Sequence, residues 1–388
     1  MIGPSLVVSA DLGIGLACAV MAVVVVAVKL ARAVARSSRE ARVAPYREAM
    51  LAIAADADED GTGRAMLRGI QDRDWRAVRE LVVALLSKVR GDTALPLVSL
   101  LDARGEFEQA RSALCSRLAL RRARGAYLLG LARQQQDVAL LLPLLADRSA
   151  EVRLVATRSL GSVGDPIAAT ALFDALGRAR GHLGIPIAAA AEALLNFGAG
   201  AVPAVLQALA ADDATQRAAA TMVAAEGALS AAAPLLRQLV AGDPELNIRI
   251  SAVSALGAVG GADDVAELAA LTAAGQPTEL RRAAVQALGE LGHPDAAPVL
   301  SGLLPDPDVR LGQHSGDALV RLGPAGVRAL LHAAAEPGPA ARVAAGSLVI
   351  ARLGKDPRVT GDQLPGQRGG QLAGEPAGQL VDARGIPR

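Results

Sequence analysis

The chain is poor in aromatic residues, with one Trp, two Tyr and three Phe among 388 positions. That scarcity excludes a core built on large rings, and it excludes the stacked aromatic platforms that hold single-stranded nucleic acid. Cysteine occurs only as Cys18 and Cys115, so no disulfide framework is indicated and the body reads as suited to a reducing compartment. The net charge is +1, so there is no broad basic field to draw the protein onto nucleic acid, and none is expected as a partner. Lysine is confined to Lys29, Lys88 and Lys355, which leaves arginine to carry nearly all positive charge. His182, His293, His314 and His332 are scattered without metal-ligand spacing. Cys-x-x-Cys, His-Glu-x-x-His, Gly-x-Ser-x-Gly and phosphate-loop patterns are all missing. His314 and Asp317, three apart on one expected helix, read as a surface pair. The expectation is therefore a protein that is not an enzyme, with no catalytic residues, no cofactor, no metal and no small-molecule substrate.

Long apolar runs are also scarce, with one exception near the start. From Leu12 to Val28 no residue carries a charge, and as a helix rising ~1.5 Å per residue this run would span about 25 Å. Only Asp11 and the amino terminus precede it, whereas Lys29, Arg32, Arg36, Arg39, Arg42 and Arg47 follow. Positive charge on the inner side places the N-terminus outside and everything after Lys29 in the cytoplasm. A cleaved leader needs its positive charge before the apolar core, the opposite of what stands here. Gly13/Ala17 and Gly15/Ala19 have the small-xxx-small spacing of paired membrane helices. The reading is an uncleaved, single-pass anchor in the inner (plasma) membrane: 1–11 outside, 12–28 spanning, 29–42 a basic juxtamembrane segment.

The rest of the chain repeats. EVRLVATRSLGSVGD from Glu151, NIRISAVSALGAVGG from Asn247, ELRRAAVQALGELGH from Glu279 and DVRLGQHSGDALVRLG from Asp308 share one plan. A polar start leads to an arginine, then small apolar residues, then glycines. The arginines are Arg122, Arg153, Arg217, Arg249, Arg281, Arg310 and Arg342, with successive differences of 31, 64, 32, 32, 29 and 32. The double step passes IPIAAAAEALLNFG at Pro186, where the arginine is absent. Second helices such as AVPAVLQALAA and DAAPVLSGLLPD lie between, many opening on proline, whose missing N–H costs nothing in a first turn. One pair cannot cover its own apolar face, so pairs must stack. The expected fold class is all-α: a transmembrane helix, then an α-solenoid formed as a right-handed superhelix of helix pairs, then a disordered tail. Residues 43–116 read as an irregular helical cap, 117–354 as the repeats and 355–388, rich in Gly, Pro and Gln, as the tail.

The pattern DPDVR…AL…LG…P…A.P.L..LL resembles HEAT repeats, in particular the short HEAT-like repeats of phycobilisome lyases, from Gln71 to Gly354 and most strongly after Val138. The resemblance implies that the arginines join an Asp/Arg ladder between repeats, with Asp147, Asp243, Asp306 and Asp308 as partners. It implies a bend at Pro186, where the ladder is interrupted. It also implies that the arginine-bearing helices line a concave face. Five residues beyond each arginine lies one position per repeat: Tyr127, Arg158, Met222, Ser254, Gln286, Ser315 and Ser347. This row changes chemistry while its neighbours stay Ala, Val or Leu, and it is the candidate site for a membrane-associated protein partner. The expected function is a membrane-anchored cytoplasmic scaffold, an accessory subunit of a membrane or envelope enzyme such as a glycosyltransferase. The resemblance also leaves open a bilin-lyase-like enzyme or chaperone subunit.

Overall fold

The computed structural model describes residues 21, 23–31, 37–38, 40–41, 43–53, 55, 61–89, 91–177 and 184–353. Among these residues there are helices and turns and no strands, as expected of an all-α chain. The expected membrane span 12–28 and the expected tail 355–388 fall largely or wholly outside the described residues. Of the span, Met21 and residues 23–28 are described; they are helical, and the valines stand exposed. Among the described residues no helix is long and apolar enough to cross a membrane.

The chain divides into two compact units after Gly260, a division the single expected run of repeats did not contain. The first unit holds α1 (Thr62–Arg68), α2 (Asp72–Leu86), α3 (Leu95–Ala103), α4 (Glu106–Ala113), α5 (Ala119–Ala132), α6 (Val138–Leu141), α7 (Ala150–Val163), α8 (Ala169–Asp174), α9 (Ile187–Asn196), α10 (Val202–Leu209), α11 (Ala214–Glu226), α12 (Ala233–Gly242) and α13 (Leu246–Val259). The second unit holds α14 (Asp264–Ala270), α15 (Thr278–Leu291), α16 (Ala297–Gly302), α17 (Val309–Arg321), α18 (Pro324–Ala335) and α19 (Pro339–Leu353). In the first unit α5, α7, α9, α11 and α13 pack each on the next, and in the second α15, α17 and α19 do so. Shorter second helices close each hairpin behind them: α10 packs on α11, α12 on α13, α16 on α17 and α18 on α19.

The repeated motif explains this layering residue by residue. The leucine before its first glycine is Leu160, Leu256 or Leu288; with Leu129 and Leu319 in the same register, all five are fully buried. Each such leucine contributes ~1.5–3 kcal/mol by leaving water. The first glycine lets successive helices touch. A methyl group on Gly161 would lie 2.7 Å from the Ala193 Cα, and one on Gly289 would lie 2.8 Å from the Ala318 Cα. Any larger residue forces the helices apart. At Gly164 and Gly292 the second glycine ends the helix in the left-handed region, at φ 78° and 71°, whereas Gly260 ends its helix extended. In the same register Arg133 and Ala228 adopt φ 52° and 48° without glycine's freedom. Second helices open on prolines such as Pro166 and Pro294, and Asp165 and Asp213 cap helix starts by accepting from the Ile167 and Thr215 amides at 3.0 and 2.7 Å.

Trp75 organises the first helices. It is buried, donates Nε1 to Glu106 Oε1 at 2.9 Å and carries the Arg104 guanidinium 5.1 Å above its ring. Arg79 Nε closes on Glu106 Oε2 at 2.5 Å, so this nearly buried carboxylate is satisfied by two donors of α2.

Candidate functional site

The arginine-bearing helices have one face committed to rungs and one face open. Arg122, Arg153, Arg217, Arg249, Arg281 and Arg342 are each the fourth residue of their helix. Arg122 makes a bidentate pair with Asp147, Nε to Oδ2 at 2.7 Å and a terminal nitrogen to Oδ1 at 2.8 Å. Its other terminal nitrogen donates to the Ser116 and Arg117 carbonyls, closing the loop before its own helix. Arg217 repeats the arrangement, with Nε 2.6 Å from Asp243 Oδ2 and the Ala211 and Asp212 carbonyls as loop acceptors. Each aspartate accepts a turn amide two residues on, from Ser149 and Glu245, at 2.8 Å. Planar fork-to-fork pairing of this kind is why arginine rather than lysine occupies the position. Burial pushes both carboxyls upward, but the guanidinium bond and the turn amide outweigh it, so Asp147 and Asp243 titrate below the ordinary carboxylate range.

Within the second unit Arg281 reaches Asp306 at 2.6 Å and the Thr272 carbonyl at 2.8 Å. Arg282 beside it takes Asp308 at 2.7 Å.

Two expected rungs are not made as predicted, and two more lack an acid among the described residues. Arg310 is exposed and is the second residue of α17; the rung register there belongs to Gly312, whose position faces the Leu304 carbonyl. The 29-residue step before Arg310 is the sequence signature of this slip. Arg342 keeps the register but stands exposed in α19, the last helix of the described chain. Arg153 is 5% exposed and donates to the Asp147 carbonyl at 2.8 Å, yet its Nε has no partner. The register position that holds Asp147 or Asp243 elsewhere is Gly184, where a side chain would collide with the Leu176 and Gly177 carbonyls. Arg249 donates Nε to the Val240 carbonyl at 3.4 Å.

The open face carries the candidate row. Tyr127, Arg158, Ser254 and Gln286 are exposed and Met222 is half-buried, each the ninth residue of its helix. Ser315 and Ser347 correct the expectation. Ser315 is fully buried and donates to the Leu300 carbonyl at 2.5 Å, because the slip at Arg310 carries the count onto the inner face. The ninth residue of α17 is Asp317, which is exposed. Ser347 is buried against Gly316, whose missing side chain makes the room. His182 lies outside the described residues. His314 is half-buried with its Nδ1 unpartnered, so the expected surface pair with Asp317 is not made through that atom. Among the described residues no cluster of His, Cys, Asp or Glu is arranged to hold a metal.

Sequence reasoning passed over three further pairs: Arg79–Glu106, Arg111–Asp137 at 2.7 Å and Arg282–Asp308. Their signal was available, since an arginine meets an acid 27, 26 or 26 residues ahead, matching the 25 and 26 of the rungs at Arg122 and Arg217.

Residues 266–349 match the family model described as HEAT repeats, so the stacked pairs of the second unit are HEAT repeats. No curated protein matches the chain. Among solved structures, the chain is similar to the complex of CpcE and CpcF of phycocyanin lyase from Nostoc sp. PCC7120, at 20% identity over 63% of this chain and 94% of that chain, with TM-score 0.30. It is similar to human deoxyhypusine hydroxylase at 20% identity, covering 76% and 95% of the two chains with TM-score 0.27. It is also similar to Kap95p bound to RanGDP at 12% identity, covering 74% and 46% with TM-score 0.44. Superpositions this loose carry nothing beyond helical repeats.

Proposed function

We propose that the chain is a non-catalytic scaffold, held at the cytoplasmic face of a membrane, whose repeat surface captures a protein partner. One observation carries the reading: the ninth residue of the first unit's arginine-bearing helices varies in chemistry, exposed as Tyr127, Arg158 and Ser254 and half-buried as Met222. The buried faces of the same helices are mainly alanine, leucine and valine, with Thr157, Ser159 and Thr221 among them. A surface that varies over a constant frame is what a recognition face requires. The anchor is supported by the uncharged run Leu12–Val28 with its basic flank, and by the exposure of Val23 to Val26. Tethering would raise the local concentration of any partner in the same membrane. An accessory role beside a membrane enzyme, a glycosyltransferase for example, extends this reading.

The test is crosslinked capture with the full chain from gently solubilised membranes, alongside the variant Arg158→Ala/Gln286→Ala. One partner, captured by the parent chain and lost with the variant, is the expected result. Equal capture by both, or nothing captured by either, overturns the recognition reading. Resistance of the chain to alkaline extraction from membranes, abolished by Val24→Arg with Val26→Arg, tests the anchor separately.

A further inference from the structure

Among the described residues of the first unit, Arg79, Arg104, Arg111, Arg122 and Arg217 each meet an acid outside their own helix, whereas Arg121 and Arg124 of α5 meet none. A groove of about 170 Å³ runs between α4 and α5, with Arg79, Gln109, Arg121 and Arg124 on its walls and Glu106 at its base. Glu106 is spent on Arg79 and Trp75. Arg121 and Arg124 are exposed, and neither side chain makes a hydrogen bond or ion pair among the described residues. They stand three apart on one helix, with Cβ atoms ~5–6 Å apart, so the like charges repel. Arg121 lies in the first turn, where the helix dipole is already positive and no acid is present to offset it. Arg148 donates to the Arg117 carbonyl at 3.3 Å, bringing a further guanidinium to the start of the same helix. A chain with net charge +1 does not collect these groups through a general excess of positive charge. Beside them Leu118, Leu120 and Tyr127 are 58%, 54% and 44% exposed.

We propose that this groove docks an acidic segment of the protein partner, its carboxylates on Arg121 and Arg124 and an apolar residue against Leu120 and Tyr127. The proposal rests on the scaffold reading and assigns it a partner chemistry. Charge complementarity selects the acid, and the exposed leucines select a peptide over a free anion. No aromatic side chain lines the groove to stack bases.

The probe is a fluorescein-labelled peptide of about twelve residues alternating Glu or Asp with Leu, against a Gln/Asn counterpart of the same length. Binding is read by anisotropy with the full chain in neutral detergent. The acidic peptide is expected to bind and to weaken with salt, and Arg121→Glu/Arg124→Glu should weaken it at least roughly tenfold. Arg310→Glu, an exposed charge reversal in the second unit, should leave binding unchanged. If the double reversal does not fold, Arg121→Gln/Arg124→Gln reads the same loss. Equal binding of the acidic and neutral peptides overturns the proposal, as does tighter binding of single-stranded RNA through the same arginines. Binding seen only after Asp56, Asp58, Glu59 and Asp60 are neutralised overturns it too, making that acidic run the occupant. Membrane capture separates the two readings. Partner lost with the row variant but kept with Arg121→Glu/Arg124→Glu leaves the scaffold and removes this groove. Peptide binding as expected with nothing captured leaves the groove and removes the scaffold.

Discussion

Arg217 and Arg153 occupy the same position in two different repeats and are almost equally buried, at 8% and 5% exposure. Arg217 closes on Asp243 with two hydrogen bonds and satisfies its own loop with two more. Among the described residues Arg153 satisfies its loop but meets no carboxylate, and its Nε stays unpaired. The arginine therefore does two separable jobs. One is local, holding the turn before its helix, as Arg122, Arg153 and Arg217 all do. The other is between repeats, and it depends on an acid that the next hairpin must supply. Where Gly184 takes that acid's place, the first job survives and the second does not.

Removing the acid should break the comparison most sharply. Asp243→Ala leaves the buried Arg217 charge with only its loop carbonyls as acceptors and should cost on the order of 3 kcal/mol, read as a lower denaturant midpoint with unchanged slope. The same rungs should give the stability a pH dependence. Asp147 and Asp243 titrate below their unfolded value of 3.8, so their contribution is complete above that pH and disappears as pH falls through the lower folded value. An acid titration of Asp243→Asn that retains the full parental loss below that pH would contradict the assignment.

The next largest effect is a contrast. Arg217→Met strands Asp243 and should cost about 2 kcal/mol more than Arg153→Met, which removes a buried charge that has no acid and gives up only the loop bonds. Equal costs in chemical denaturation would mean that the rung adds nothing to the loop closure. Smaller again is Ala228→Gly. Glycine relieves a left-handed backbone at φ 48°, and the gain should be roughly 1 kcal/mol in a thermal or denaturant melt. The smallest is Arg310→Ala. This exposed residue, off the rung register, should change stability by no more than ~0.5 kcal/mol; a loss as large as that of Asp243→Ala would return it to the ladder.

How much of this was legible varies with the range of the interaction. The helices, their caps and the buried leucines follow from periodicity, because each is fixed within a few residues along the chain. The motif LGSVG at Leu160 already contains a buried leucine, a helix contact and a helix end. The rungs at Arg122 and Arg217 were legible because the repeat converts a spacing of 25 or 26 residues into one contact distance. Arg310 and Ser315 were misplaced because counting began from the nearest arginine, while the helix start had shifted by two residues. Arg121 and Arg124 carried no signal of their own in a sequence with 40 basic residues. What set them apart was the absence of an acid opposite, and only packing settles what stands opposite.

By itself the sequence determined an all-helical repeat, its period, its arginine register and the glycines that let helices approach, since these depend on local backbone preference and on hydrophobic spacing. Tertiary structure decided the division after Gly260, which arginines find an acid, and which members of the row reach solvent. The reason is that pairing and exposure depend on the rotation of one helix against the next. A shift of two residues turns a side chain through roughly half a turn, enough to move it from surface to core.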